Sequence, residues 1–339
     1  MAQNSLQSNP KLVGENARDG ALDQPWEQDN QAWWDWYMTL AENGDQPFAP
    51  LQDIDPLPPV EMPSDVTLWE ELHAPYPITP ADRERFRADG FIKLRDFISP
   101  GAVLRLRQEL VRLLGIAFET ALDGGTTNRF LSLEMVWLDN SLLRKYVLSP
   151  RIAKTGADLL NVPRVRLYHD NVLSKEPGCG RTPWHYDDHH FPLATDDVVT
   201  AWIPAQPIPT AMGPLCFAKP IDVYKLTEAI EFNKFDTSYD RKVAEVFRAH
   251  GVAVEDGPFE MGEVSFHHNF SFHTAAANRT RQSRIVLANT YYADGARVLD
   301  QPTMVSGDWQ KFIPGVGPGE IAASPLNPVC WPPQVDTHD

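Results

Sequence analysis

The chain has 339 residues, of which 42% are hydrophobic, so it can form one large domain with additional segments or two modest domains. Its 46 acidic and 30 basic residues give a formal net charge of −16, which argues against nucleic acid as a partner, because that binding depends on cationic contacts to phosphate. No run of about 18 apolar residues occurs, so no membrane span is expected.

The first 77 residues form an acidic extension rich in Trp and Pro. The segment "QAWWDWYMTL" predicts a short amphipathic helix around Trp33 to Leu40 that packs on the main body of the protein. The alternative is a lid over a pocket. The prolines of "DIDPLPPVEMP" then predict an extended linker, because proline disfavours helix at the residue before it.

The stretch "ITPADRERFRADGFIKLRDF" carries a helix with clear end signals, followed by a strand. Thr79 is a suitable N-cap and Pro80 suits the first helical position. The helix should run to about Ala88 and end at Gly90. The alternation of apolar and polar residues in "FIKLRDF" then predicts a half-buried strand.

A second helix should begin near Ser99 and Pro100, because apolar residues recur there at helical spacing. Its predicted buried face consists of Val103, Leu106, Leu110, Leu113 and Ala117.

Short strands dominate from residue 164 onward, interrupted by a helical insertion near 221–250. The predicted strands are "VRLYHDNVL", "VVTAWIPA", "GPLCFA", "EVSFHH" and "RIVLANTYY". This order predicts a mainly β jelly roll with flanking helices. We expect one β-rich domain over 78–300, preceded by the extension over 1–77 and followed by a Pro-rich tail over 301–339.

Cysteine usage and the first residues of the chain favour the cytoplasm. Cys179, Cys216 and Cys330 are odd in number and widely spaced, so they fit neither a disulfide framework nor a zinc motif. The start "MAQNSLQSNP" lacks the basic and apolar regions of a secretory signal. We therefore expect a cytoplasmic protein with a small-molecule substrate; its oligomeric state is open.

The stretch "TPWHYDDHHF" concentrates groups that can bind a metal. On a strand, His185, Asp187 and His189 would share one face, so an H-x-D pair could converge on one ion. A third ligand must come from elsewhere, and the candidates His267, His268 and His273 lie in "SFHHNFSFHTAAANRTRQSR". His189 and His190 are interpreted as groups that contact the metal ligands or face the substrate, rather than as metal ligands themselves.

Two His and one carboxylate form the facial triad of non-haem Fe(II) oxygenases, which leaves metal positions open for a keto acid and dioxygen. A keto diacid also needs a cation for its far carboxylate, and the planar fork of Arg meets that need best. Arg284 opens a predicted strand eleven residues after His273. A hairpin between these two residues would bring both to one end of a barrel.

These pieces together resemble the phytanoyl-CoA dioxygenase (PhyH) family of Fe(II)/2-oxoglutarate-dependent oxygenases. The resemblance covers roughly residues 78 to 295 and rests on four segments. They are "ITPADRERFRADGFIKLRDF", "LYHDNVLSKEPGCGRTPWHYD", "VTAWIPAQPIPTAMGPLCFAKP" and "GEVSFHHNFSFHTAAANRTRQSR". It implies a double-stranded β-helix, a jelly-roll barrel that binds Fe(II) and 2-oxoglutarate, uses dioxygen as co-substrate and can be assisted by ascorbate.

The resemblance also assigns roles to individual residues. It implies that His185, Asp187 and His273 bind iron and that Arg284 binds the far carboxylate of 2-oxoglutarate. Trp202 matches a position beside the cofactor, and two further cofactor contacts are implied on the preceding strand. Those two are Tyr168 and Lys175. The sequence departs from the family pattern at Glu263 and Thr274, which affects the expected rim of the pocket.

The expected reaction is hydroxylation of a C–H bond in a small organic molecule, such as a secondary metabolite or a lipid-like compound. Asp187 favours it, because relatives that halogenate have a small residue there. Desaturation, epoxidation and ring formation are alternatives with the same ligands. A cupin-like metal hydrolase or isomerase and an inactive binding module are alternatives from other classes, against which Arg284 and the complete triad argue.

Overall fold

A computed structural model describes the chain outside the N-terminal 49 residues, four short internal gaps and the last six residues. The described residues are 50–57, 59–117, 129–231, 238–302 and 309–333. The amphipathic helix predicted around Trp33 to Leu40 lies outside them.

The described residues contain seven α-helices, most of them before the main run of strands. They are α1 Asp65–His73, α2 Pro80–Asp89, α3 Pro100–Ala117, α4 Ser141–Val147, α5 Pro150–Leu160, α6 Val223–Thr227 and α7 Ser238–His250. The helices α6 and α7 both lie in the predicted helical insertion near 221–250, although the residues between them are not all described. Within the described ranges, no helix is long and apolar enough to cross a bilayer.

Eleven strands occur in the described part of the chain. They are β1 Phe91–Leu94, β2 Phe130–Glu134, β3 Val165–Lys175, β4 Thr182–His185, β5 Val198–Pro204, β6 Leu215–Lys219, β7 Ala253–Glu255, β8 Val264–His268, β9 His273–Ala275, β10 Arg284–Ala293 and β11 Val329–Trp331. The five segments read as strands from the sequence all form strands, and their bounds differ from the predictions by one or two residues.

The strands form two antiparallel sheets whose inner faces share one apolar interior. The larger sheet has the order β1-β8-β5-β10-β3-β11, with β2 also paired to β3, and the smaller has the order β4-β9-β6-β7. Trp202 of the larger sheet and Phe217 of the smaller belong to the same buried cluster. The fold is therefore the predicted jelly roll, and its interior lies between the sheets.

Helices cover the outer face of the larger sheet. On α3 the residues Val103, Leu106, Leu110 and Leu114 are buried, whereas Leu113 is half-buried and Ala117 is exposed. The predicted face was thus wrong in its last turns. The buried stripe continues at the four-residue spacing from Leu110, because that step keeps a side chain on the same side of the helix.

The ends of α2 follow the predicted local signals. Thr79 and Asp82 form a reciprocal capping box at its start, and Gly90 adopts a left-handed conformation with φ of 82° at its end. A Cβ at Gly90 would also lie 2.9 Å from Ile221. Glycine is therefore required by both the backbone conformation and the close packing, and this turn starts β1 at the correct place.

The described parts of the two flanking segments pack on the barrel domain. Ile54 contacts the cluster between the sheets, and Leu68 and Leu72 of α1 are buried with the helical layer. Near the other end of the chain, Trp309 joins a buried cluster and β11 pairs with β3. These contacts agree with packing of the extension on the core, while the division at residues 77 and 300 stays a prediction.

Candidate metal centre

His185 is the last residue of β4, and the chain leaves the strand directly after it. Asp188–His190 form a 3₁₀ turn, in which the N–H of His190 donates to the carbonyl of Asp187 at 2.8 Å. The backbone N–H groups of Asp187 and Asp188 both donate to the carbonyl of Asn269, at 2.8 and 3.1 Å. The expected strand alternation through His189 is therefore wrong, and a turn directs Asp187 toward His185.

His273 is the first residue of β9 and pairs directly with His185 across the smaller sheet. The two imidazole rings lie 4.2 Å apart between centroids. Because β9 pairs with β4 and β6 while β10 belongs to the larger sheet, the expected hairpin between His273 and Arg284 is absent. These two residues instead project into the interior from different sheets.

One carboxylate oxygen lies close to both imidazoles. Oδ1 of Asp187 is 3.6 Å from Nε2 of His185 and 3.9 Å from Nε2 of His273. Nδ1 of His185 lies 2.8 Å from the carbonyl of Pro183, and Nδ1 of His273 lies 2.9 Å from that of Ser271. A carbonyl only accepts, so both Nδ1 atoms carry the proton and both Nε2 lone pairs point toward Asp187.

The charges at this centre suit metal binding. Burial opposes ionisation of Asp187, but His273, His267 and His185 together lower its pKa below the usual carboxyl range. Burial and His185 lower the pKa of His273 to about 3. At neutral pH the site therefore offers one anionic oxygen and at least one neutral imidazole, and metal ligands must be deprotonated in this way.

The geometry fits a single metal ion. The ligand atoms of His185, Asp187 and His273 all lie within 4.8 Å of one another, and these residues make up the one such group of three among the described residues. Two nitrogens and one carboxylate oxygen are donors that suit first-row transition metals, and a set of only three protein ligands leaves other coordination positions open. The three ligands inferred from the sequence thus come together in the structure.

Arg284 lies at the start of β10 with its guanidinium buried between the sheets. Nη1 donates to the carbonyl of Gly213 at 2.6 Å, whereas Nε has no hydrogen-bond partner among the described residues. The guanidinium carbon lies 5.4 Å from the ring centroid of Trp202, a cation–π distance. Burial lowers the pKa of Arg284 to about 10, so it stays charged at neutral pH with donor capacity left unused.

Lys175 lies directly opposite Arg284 in the pairing of β3 with β10. Its Nζ is 3.2 Å from Oγ1 of Thr182 and 2.9 Å from the carbonyl of Ala276. Burial, with a smaller contribution from Arg284, lowers the pKa of Lys175 to about 7. The predicted cofactor contacts Lys175, Arg284 and Trp202 are therefore close together.

Tyr168 is not brought to this group. It packs with Phe191, Tyr292 and Phe312 in a different buried cluster, seven residues along β3 from Lys175. Its assignment as a cofactor contact stays a prediction.

Two residues at the centre were not assigned from the sequence. Phe217 of β6 lies beside the metal ligands, with its ring 6.0 Å from that of His273 and 4.2 Å from that of Phe91, on which it stacks. His267 points at the second oxygen of Asp187, with Nε2 3.4 Å from Oδ2. The sequence identified His267 only as a rival ligand, because period-two alternation along β8 does not say what lies opposite.

A family model described as phytanoyl-CoA dioxygenase matches residues 86–286 of this chain. Among proteins of curated function, none matches the chain in sequence.

Several solved structures share the fold at low sequence identity. The non-haem alpha-ketoglutarate-dependent carbocyclase SnoK from nogalamycin biosynthesis has a TM-score of 0.60 and 20% identity, covering 76% of this chain and 99% of that one. The epimerase SnoN in complex with Fe3+, alpha-ketoglutarate and nogalamycin RO has a TM-score of 0.57 and 21% identity, covering 78% and 100%. EctD from S. alaskensis with 2-oxoglutarate and 5-hydroxyectoine has a TM-score of 0.56 and 18% identity, covering 84% and 96%.

Proposed function

Because this chain belongs to the phytanoyl-CoA dioxygenase family, we propose that it is an Fe(II)- and 2-oxoglutarate-dependent oxygenase. The observation that carries the proposal is the orientation of three side chains. The Nε2 atoms of His185 and His273 face one oxygen of Asp187, and both rings are held in that tautomer by backbone carbonyls. Such a set binds one iron and leaves open the positions that a keto acid and dioxygen need.

Iron, 2-oxoglutarate and dioxygen together supply the oxidising power for an unactivated C–H bond. The protein's own residues hold the metal and 2-oxoglutarate in position and balance their charges. Asp187 offsets one positive charge of the metal, so His185 and His273 can bind it as neutral imidazoles. The carbonyls of Pro183 and Ser271 hold those rings in place, as groups outside the metal's own ligands commonly do.

The far carboxylate of 2-oxoglutarate is assigned to Arg284. Its buried guanidinium has a donor without a partner among the described residues, and a carboxylate can accept from it through a charge-assisted bond. Trp202 lies against the guanidinium and limits its orientation. Lys175 stands opposite and adds positive charge, so a carboxylate bound to Arg284 would lie near two buried cations.

We assign hydroxylation of a small organic substrate as the reaction. The carboxylate of Asp187 occupies the position that small residues leave open in halogenating relatives. Proteins of the same fold carry out different chemistry, as a carbocyclase and an epimerase illustrate, so the fold alone does not select the reaction. Desaturation, epoxidation and ring formation remain alternatives with the same ligands.

The three free cysteines support a reducing cytoplasm as the location of the protein.

The test is anaerobic addition of Fe(II) and 2-oxoglutarate to the purified protein. We expect a weak visible charge-transfer band and, after admission of air, slow formation of succinate. His185→Ala and His273→Ala should abolish both, whereas His250→Ala should not, since His250 lies exposed at the end of α7. A wild-type protein without the band would contradict the proposal and favour a metal hydrolase or isomerase. Succinate formation in a compound screen then identifies the substrate.

A further inference from the structure

His267 is a buried histidine on β8 that the proposed reaction does not use. It is 2% exposed, and its ring lies 4.9 Å from that of His273 and 5.8 Å from that of Phe217. β8 is paired on both sides, since His267 stands opposite Phe91 on β1 and Thr200 on β5. Packing and backbone pairing therefore hold this imidazole in one place beside the metal centre.

The two oxygens of Asp187 face different histidines. Oδ1 is the oxygen near His185 and His273, at 3.6 and 3.9 Å, whereas Oδ2 lies 3.4 Å from Nε2 of His267. The distance to His267 is at the long end of hydrogen bonding but is the shortest of the three. The carboxylate is thus divided, with one oxygen toward the metal ligands and one toward His267.

The tautomer of His267 follows from its surroundings. Nε2 faces an anionic oxygen, where a lone pair would be repelled and an N–H is attracted. Nδ1 has no hydrogen-bond partner among the described residues, in contrast with the Nδ1 atoms of His185 and His273, which are held by carbonyls. His267 therefore carries its proton on Nε2 and donates toward Asp187, whereas the other two present their lone pairs.

We propose that His267 is a positioning residue that holds Asp187 to a single-oxygen bond with the metal by donating Nε2–H to the second oxygen. This inference rests on the proposed function and adds a fourth residue to its metal centre. A carboxylate bound through both oxygens would occupy one more metal position, and the keto acid and dioxygen need all the positions that the triad leaves open. Residues of this kind typically change metal affinity or activity about 10–100-fold when they are removed.

The experiment is an anaerobic Fe(II) titration at saturating 2-oxoglutarate, followed by the charge-transfer band. His267→Phe keeps a ring but has no donor, and should raise the apparent dissociation constant for Fe(II) about 10-fold or more. His267→Gln keeps an N–H at a similar reach and should restore it to within about 3-fold. His268→Phe is the matched control on the same strand, because that ring packs on Phe86 and Phe270, away from Asp187; it should bind Fe(II) as the wild type does.

A second pair of variants separates positioning from direct metal binding. The apparent dissociation constant for Fe(II) is measured for the double variant His267→Phe/Asp187→Ala and for the single variant Asp187→Ala. If His267 acts through Asp187, its loss has no further effect in that background; an unchanged penalty there, or equal affinity of His267→Phe and the wild type, overturns the inference. Absence of the band in the wild type would overturn the proposed function as well. Thermal unfolding of each variant confirms folding, and His267→Leu replaces the Phe variant if that one does not fold.

Discussion

Arg284 and Lys175 stand directly opposite each other on β10 and β3, so two cations are buried side by side between the sheets. Like charges in directly opposed positions of a sheet are destabilising. Within the described residues, neither forms an ion pair with an Asp or Glu side chain. Two buried cations without a carboxylate partner among these residues favour the binding of an anion between the sheets.

Arg284→Ala should weaken 2-oxoglutarate binding about 30-fold or more, since removing one partner of a buried charged pair costs about 2–5 kcal/mol. Arg284→Lys should have an affinity for 2-oxoglutarate between those of Arg284→Ala and the wild type, because an ammonium keeps the charge but cannot form the planar fork. Calorimetric titration of 2-oxoglutarate into Mn²⁺-loaded protein measures both. Arg281→Ala is the matched control on the same segment, where the side chain is 62% exposed and pairs with Asp53. Equal affinity of Arg284→Ala and the wild type would remove Arg284 from the cofactor site.

Binding of 2-oxoglutarate should weaken as the pH rises from 7 to 9. Burial lowers the pKa of Lys175 to about 7, so the free protein loses this charge just where the anion would stabilise it. An anion that binds the protonated form then binds less tightly as the protonated fraction falls, by up to about 10-fold per pH unit. Lys175→Met removes the titrating group, and its apparent dissociation constant should stay nearly constant over the same range. A wild-type constant independent of pH would show that Lys175 does not contact the cofactor.

Asp170 carries a second buried carboxyl group, distinct from that of Asp187. Asp170→Asn should make the free energy of unfolding less dependent on pH. Burial raises the pKa of Asp170 from 3.8 to about 7, although the backbone N–H of Val136 donates to its Oδ2. Between those values the folded protein keeps a proton that the unfolded chain releases, so stability falls as the pH rises. The Asn variant has no such proton.

The stability difference between Asp170→Asn and the wild type should therefore grow in favour of the variant by roughly 2 kcal/mol between pH 5 and pH 7, since the limit is about 1.4 kcal/mol per pH unit. Urea unfolding of the metal-free proteins at several pH values measures it. The buried histidines contribute equally to both proteins and cancel. Oδ1 of Asp170 and Oδ1 of the opposing Asn289 both have no partner among the described residues, and an amide at 170 can supply a donor. A difference that stays flat with pH would contradict this.

Metal should stabilise the folded protein only when both triad histidines, His185 and His273, are present. Mn²⁺ at about 100 times its dissociation constant should raise the free energy of unfolding by about 2.7 kcal/mol, because it binds the folded state alone. Thermal unfolding with and without the metal shows this as a rise in Tm. His273→Ala should lose the rise and His268→Phe should keep it. A rise that survives in His273→Ala would place the metal elsewhere.

Many helices and strands of this protein could be predicted from short stretches of sequence, because the signals that define them act over a few residues. Thr79 and Gly90 define α2 through capping and a left-handed turn, and alternating apolar residues define the strands. The H-x-D pair and the later His273 indicated the candidate metal ligands, since the chemistry of the side chains and their spacing can both be seen in the sequence. The jelly-roll class followed from the number and shortness of the strands.

Tertiary structure alone decided which groups meet across the barrel. A turn held by Asn269, rather than a strand, directs Asp187 toward its partners, and His273 reaches them from a sheet different from that of Arg284. The pairing that opposes Lys175 to Arg284 and the approach of His267 to Asp187 join residues far apart in the chain. Such contacts depend on strand order and register, which are set by the packing of the whole core and leave no mark in any short segment.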